Sequence, residues 1–229
     1  MRVIVTRARG DAARTAAALR ARGHEPLLSP VLEIVATGAA INAGQAQALI
    51  ATSAHAFAFL PAADVARLAT LPLFVVGART AQAAIGAGLP PPRIVAANAA
   101  GLAAQLALVL PGPTRLLYLA GHERKPDLEA ALQDKGHAIE VAITYEARAL
   151  DALSPEASQA LAAGEADAVL HFSRRSAQLF MACLTKAGLA TQAARLRHVC
   201  ISRDAALGEG AIIAPTPDSA GLFKALEQM

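Results

Sequence analysis

The chain has 229 residues, 55% of them hydrophobic, 17% charged and 3% aromatic with no Trp. At about 150 residues per domain that length allows one large domain or two small ones, and so apolar a chain buries a sizeable core, which excludes intrinsic disorder. The net charge of +3 comes from 21 basic and 18 acidic residues without a run of one sign, so the concentrated basic stripe of a nucleic-acid binder is missing and a small anionic ligand fits better.

Short apolar runs alternate with Ala-rich helical stretches, the rhythm of an α/β protein with parallel sheets. Val3–Val5 reads as a strand, and Asp11 as the cap of a helix through Arg22 that Gly23 stops. Pro26–Ser29 and Val31–Val35 are extended. Ala48–Ala51 is a strand leading through Thr52-Ser53 into a helix that includes Phe57 and Leu60. Leu73–Val76 is a strand, Gly77 a tight turn, and Thr80–Ala87 a helix closed by Gly88. Ile94–Ala96 is a strand, and Gly101–Leu110 a helix ending at a Pro111-Gly112-Pro113 turn.

The pattern then restarts. Arg115–Leu119 is a strand, Pro126 opens a helix that ends at Lys135-Gly136, and Ile139–Tyr145 is extended. Ala168–Phe172 is a strand meeting Ser173 and a helix through Leu184. His198–Ile201 is a strand followed by Ser202, Ile212–Ala214 is the last strand, and Ala220–Glu227 the last helix. The halves overlay at a spacing of about 120 residues. Val3–Thr6 matches Leu116–Leu119, Thr52-Ser53 matches Phe172-Ser173, Val76-Gly77 matches Ile201-Ser202, and Ala100–Leu102 matches Ala220–Leu222. The chain is read as two similar α/β units.

The two longest stretches without Asp, Glu, Lys or Arg run from Ile34 to Ala63 and from Ile94 to Thr114, and both are broken by Asn, Gln or His. Neither offers about 20 clean apolar residues, so no membrane span is expected. Cys183 and Cys200 have no metal spacing and read as two buried free thiols in a reducing compartment. The chain opens on a strand and not on a charged-then-apolar leader, from which a cytoplasmic location is expected. Monomer is the default expectation, because no heptad or apolar interface patch is readable.

Several strands end in a small hydroxyl or a glycine and then open a helix. In open α/β sheets ligands bind outside the carboxyl ends of the strands, where helix N-termini offer unpaired N–H groups. Two such units would make an anion-binding cleft. Thr6-Arg7-Ala8-Arg9-Gly10 stands where a G-x-G-x-x-G would follow the first strand, and no P-loop appears, so a nucleotide cofactor is not expected. The six histidines form no metal-ligand pair on one helix face, and no metal is expected. The absence of a G-x-S-x-G elbow disfavours Ser53 or Ser173 as a hydrolase nucleophile. A site of hydroxyls, glycines and arginines with almost no acid or base must act on a substrate that is already reactive.

These residues resemble the uroporphyrinogen-III synthase family. The resemblance is carried by Val3-Ile4-Val5-Thr6-Arg7, Leu19, Gly23 and Pro30-Val31-Leu32-Glu33-Ile34, then by Ala51-Thr52-Ser53-Ala54-His55-Ala56. Val75-Val76-Gly77-Ala78-Arg79-Thr80-Ala81, Gly88, Tyr145 and Pro215-Thr216-Pro217 to Gly221-Leu222 continue it over essentially the whole chain. It implies two α/β domains joined by a two-stranded connector, with residues 1–34 and 148–229 in one and 35–147, connector strands included, in the other. It implies conversion of hydroxymethylbilane, a linear tetrapyrrole, into uroporphyrinogen III with loss of water and inversion of ring D, without cofactor or metal.

Carried over by position, Tyr145 falls where the family has a tyrosine proposed to assist departure of the hydroxyl; an amphipathic Tyr at a domain edge is the plainer alternative. Thr80 matches a helix-opening threonine in the cleft, next to Gly77. Ser53 and Ser173 stand at equivalent strand ends as carboxylate ligands or simple caps. Arg7 is the fixed charge at a strand end, with pairing to Glu33 or Asp11 as the alternative, and Arg174 and Arg175 add positive charge or a solvated face. Ser202 is carried over less directly, because Ser202-Arg203-Asp204-Ala205 replaces the glycine and threonine of Gly77-x-x-Thr80, and Phe172 replaces a threonine before Ser173. The competing reading is a non-catalytic cytoplasmic two-lobed protein that binds a tetrapyrrole or another small polyanion.

Overall fold

The computed structural model describes residues 1–110 and 112–229; Pro111, and with it the expected turn of residues 111–113, lies outside the described residues. The chain divides into two compact units, Met1–Glu33 with Arg148–Met229, and Ile34–Ala147. In chain order the first unit opens with β1 (Arg2–Val5), α1 (Arg9–Arg20) and β2 (Glu25–Leu28), after which β3 (Leu32–Ala36) crosses into the second. That unit continues with β4 (Ala48–Ala51), a 3-10 turn (Ala54–Phe57), α2 (Ala62–Leu68), β5 (Leu73–Val76) and α3 (Ala78–Gly86). It ends with β6 (Ile94–Ala96), α4 (Ala99–Val109), β7 (Arg115–Gly121), α5 (Asp127–Gln133) and β8 (Ala138–Ala149), the strand that leaves it. The first unit resumes with α6 (Pro155–Ala162), β9 (Ala168–His171), α7 (Arg174–Lys186), α8 (Ala190–Ala193) and β10 (Arg197–Cys200). A second 3-10 turn (Arg203–Ala205), β11 (Ile212–Ile213) and α9 (Ser219–Glu227) complete it.

The sheet of the first unit has the order β11-β10-β9-β1-β2, and that of the second β6-β5-β4-β7-β8-β3. Matched through the internal repeat, β1 corresponds to β7, β9 to β4, β10 to β5 and β11 to β6, so the two sheets share one strand order. Each paired strand runs parallel to its neighbour in the first sheet, as do β4 to β8 in the second. Parallel sheets are covered on both faces, which is why their strands read as continuous apolar runs. In β1, Val3 and Val5 pack on the side of α1 and α9, and Ile4 on the side of α6 and α7. In β4, Leu49 and Ala51 meet α3, and Ala48 and Ile50 meet α4 and α5.

Local chemistry places the helix boundaries. The α1 helix starts before Asp11, at Arg9, with Ala8 at the N-cap and no side-chain cap bond. Asp11 is instead taken up by Arg7 and Arg14, so it serves the first turn as an acidic residue and not as a cap. The helix expected after Thr52-Ser53 breaks into a 3-10 turn and α2, because Pro61 lacks the N–H that would continue the ladder and starts a new helix instead. Two helices add to the sequence expectation: α6, opened by the Ser154 cap and Pro155, and the single turn α8. Cys183 and Cys200 are buried and unbridged, and among the described residues no helix is long and apolar enough to cross a membrane.

Candidate functional site

In the second unit Ser53 stands at the carboxyl end of β4, Gly77 and Thr80 at that of the adjacent strand β5, and Tyr145 on β8, paired with Gly121 at the end of β7. Ser53 follows β4 and caps the 3-10 turn, accepting a bond from the His55 N–H at 3.3 Å. The Tyr145 phenol lies beside Ser53, whose side chain favours its ionised form, but burial outweighs this and holds its pKa above the usual value for a phenol. The His55 ring tilts against Tyr145 with centroids 5.6 Å apart. Gly77 turns the chain out of β5 with φ of 84° and receives the first turn of α3, where the Thr80 N–H donates to the Gly77 carbonyl at 3.1 Å. Only glycine takes that φ without strain. Thr80 is buried at 4% exposure beside this turn.

Tyr145 owes its position to an irregularity in the β7–β8 ladder. Ala120 pairs with Ile143 but Gly121 pairs with Tyr145, so Thr144 is an extra residue on β8. Such a bulge re-aims the side chains that follow it. The Thr144 hydroxyl donates to the Ala56 carbonyl at 3.0 Å, tying the bulge to the turn that carries Ser53, and the His122 N–H donates to the Tyr145 carbonyl at 3.0 Å. On the neighbouring strand Tyr118, buried, shares a 2.7 Å hydrogen bond with the Thr52 hydroxyl. The adjacent residues Thr52 and Ser53 therefore each lie beside one of the two tyrosines, Thr52 bonded to Tyr118.

In the first unit the corresponding strand ends carry Arg7 after β1, Ser173 and Arg174 after β9, and Ser202 after β10. Arg7 donates to Asp11 Oδ2 at 2.9 Å, and its guanidinium lies 4.2 Å from the centroid of the Phe172 ring. Of the two carboxylates expected as alternatives, Asp11 forms the ion pair with Arg7. Ser173 caps α7 in a reciprocal capping box with Ser176. Arg174 reaches the exposed Asp204 carboxylate at 3.9 Å, a distance and exposure at which ion pairs contribute little. Ser202 precedes the second 3-10 turn without a side-chain cap bond.

Residues that sequence reasoning did not single out are Thr52, Tyr118, Gly121, His55 and Thr144, all around Tyr145. Their only linear signal is the Ser53 neighbourhood, since Tyr118 reads as one more apolar strand residue. A cavity of about 530 Å³ in the first unit, lined by His171, Met181, His198 and Arg197 among others, includes none of the predicted site residues. Among the described residues no group of three or more His, Cys, Asp or Glu is arranged to hold a metal ion.

The chain matches the family model for uroporphyrinogen-III synthase HemD over residues 13–223. Among solved structures it is similar to a uroporphyrinogen-III synthetase from Helicobacter pylori, at 17% identity over 100% of both chains and a TM-score of 0.68. It is also similar to a mutant uroporphyrinogen III synthase from the extremely thermophilic bacterium Thermus thermophilus, at 21% identity over 100% of both chains and a TM-score of 0.57. These two likenesses carry the fold, and no curated protein matches the chain by sequence. Because the family model spans nearly the whole duplicated α/β chain, this protein belongs to the uroporphyrinogen-III synthase (HemD) family.

Proposed function

We propose that the chain is a cyclising lyase that turns hydroxymethylbilane into uroporphyrinogen III, with Tyr145 assisting the loss of the terminal hydroxyl. The phenol donates a hydrogen bond to the departing oxygen, and the azafulvene left behind is attacked by ring D through its substituted end. The spiro intermediate then fragments and recloses with ring D inverted. Water is lost and no net oxidation or reduction occurs, so the chemistry calls for no redox partner. The observation that carries the role of Tyr145 is its placement by the Thr144 bulge beside Ser53, in surroundings that keep the phenol protonated at neutral pH.

The remaining residues position the substrate. Hydroxyls of Ser53, Thr80, Ser173 and Ser202, the Gly77–α3 turn, and the guanidinium groups of Arg7 and Arg174 suit the carboxylates of a tetrapyrrole. Holding a substrate that already reacts unaided supplies several kcal/mol of the barrier through geometry alone. In this reading the protein works as a monomer in the cytoplasm.

The test is to supply fresh hydroxymethylbilane, oxidise the products and separate the isomers. Type III product is expected, and Tyr145→Phe with Thr80→Ala should lower its rate on the order of 10²-fold. Type I product alone, formed at the uncatalysed rate, would leave a binding protein; an unchanged rate and isomer ratio in the double variant would remove Tyr145 and Thr80 from the mechanism.

A further inference from the structure

The ring of Tyr145 lies directly on the backbone of Gly121. A Cβ built at position 121 would stand 2.5 Å from Tyr145 Cζ and 2.8 Å from both Cε2 and the hydroxyl oxygen, separations that no side chain tolerates. Gly121 is not among the residues with positive φ, and it ends an ordinary strand, β7. Its backbone would accept any residue, so the requirement for glycine here is one of space. The bulge at Thr144 places Tyr145 opposite Gly121, where an unbroken register would have put it opposite His122. Thr144 is itself pinned to Ala56, and the chain on either side of the contact is closed by the His122-to-Tyr145 backbone bond.

We infer that Gly121 is a positioning residue for the proposed reaction: it is the floor on which the Tyr145 ring rests, and together with the Thr144 bulge it delivers the phenol to Ser53. The inference rests on the role proposed for Tyr145 only for its effect on turnover; the placement itself is a separate matter. Gly121→Ala leaves the strand backbone permitted and lifts the ring off its floor, parting the hydroxyl from Ser53. A displacement of about 1 Å at a reacting group can cost on the order of 10²-fold in rate.

The composition makes a direct readout available, because the chain has two tyrosines and no Trp. In a Tyr118→Phe background the near-ultraviolet ionisation signal belongs to Tyr145 alone. Its midpoint should lie above the ordinary value, and adding Gly121→Ala should move it back toward that value as the ring becomes more solvated. In the otherwise natural chain Gly121→Ala should lower the rate of type III formation on the order of 10²-fold, in kcat more than in KM. An unmoved Tyr145 midpoint in Gly121→Ala overturns the inference. A moved midpoint in a chain whose Tyr145→Phe variant keeps full turnover upholds the placement and removes the phenol from the chemistry. Should Gly121→Ala fail to fold, Gly121→Ala with Tyr145→Ala should fold again, since the clash is gone; failure of that double variant to recover would also overturn the inference.

Discussion

The guanidinium of Arg7 sits 4.2 Å from the centroid of the Phe172 ring while its Nη2 holds Asp11 at 2.9 Å, so a cation at the end of β1 is fixed by a side chain at the end of β9. The family resemblance has a threonine where this chain has Phe172, and the ring gives Arg7 a platform that a hydroxyl would not. Phe172→Leu keeps an apolar body and removes the aromatic face. It should lower unfolding free energy by about 0.5–1 kcal/mol, measured by urea titration. It should also raise KM for hydroxymethylbilane more than it changes kcat, because Arg7 would lose its orientation.

Ser173 and Ser176 cap α7 reciprocally. Ser173→Ala should cost about 1 kcal/mol of stability, again by urea titration. If the hydroxyl also meets a substrate carboxylate, KM should rise with kcat held, whereas a cap alone would leave KM at the wild-type value.

His171 Nε2 and His198 Nδ1 are 2.9 Å apart and share one hydrogen bond. Burial first, and the neighbouring His198 second, push the pKa of His171 down to about 3, and burial lowers that of His198. Both are therefore neutral in the folded protein at pH 7 and protonate more readily in the unfolded chain. Below the ordinary histidine value near 6.5 the unfolded state binds the extra protons, so stability is lost as pH falls from about 6.5 toward 3. His171 contributes up to about 1.4 kcal/mol per pH unit in that window, and the lowered pKa of His198 acts in the same direction. His171→Leu should flatten the fall in unfolding free energy between about pH 6.5 and about pH 4, and equal slopes in the two proteins would contradict this account.

Gly221 opens α9 against Thr216, whose carbonyl and amide both stand where a Cβ at 221 would go. The Asp218 side chain accepts from the Gly221 N–H at 2.7 Å and holds this corner closed. Asn98 does the same for Gly101 at 2.8 Å in the other half of the repeat. Gly221→Ala should lower the melting temperature by an amount equivalent to about 2 kcal/mol. Gly101→Ala should cost less, because its nearest neighbour is the Asn98 side chain at 3.3 Å and not backbone.

Most strands were legible as short apolar runs, several of them ended by a glycine or hydroxyl, and the shared strand order of the two sheets was legible as the internal repeat. The α6 helix escaped because its Ala-rich sequence has little periodicity beyond the Ser154-Pro155 start. The start of α1 differs from the sequence expectation because Asp11 has the chemistry of a cap but is satisfied by two arginines. Ser53 and Tyr145 were legible separately, as a hydroxyl after a strand and a tyrosine in an extended run. Their connection was not. It depends on the one-residue bulge at Thr144, and a bulge is a property of the pairing of two strands, not of either strand alone. Tyr118 and Thr52, 66 positions apart in sequence, meet only once β4 and β7 are neighbours.

The division of the chain also sets an order of assembly. Ile34–Ala147 is one uninterrupted segment, and every strand from β4 to β8 finds its parallel partners within it. The interior strand β1 has only β2 near it in sequence; its other partner, β9, is anchored through the bond from the Arg2 N–H to Asp167, 165 positions downstream. Closing that loop carries a larger entropic cost than any pairing in the middle segment. During synthesis the inner unit can complete its sheet while β1 and β2 are still waiting, as an exposed parallel pair, for the strand that buries them. Destabilising substitutions in β1 should therefore show themselves as poor yield of folded chain before they show as poor catalysis.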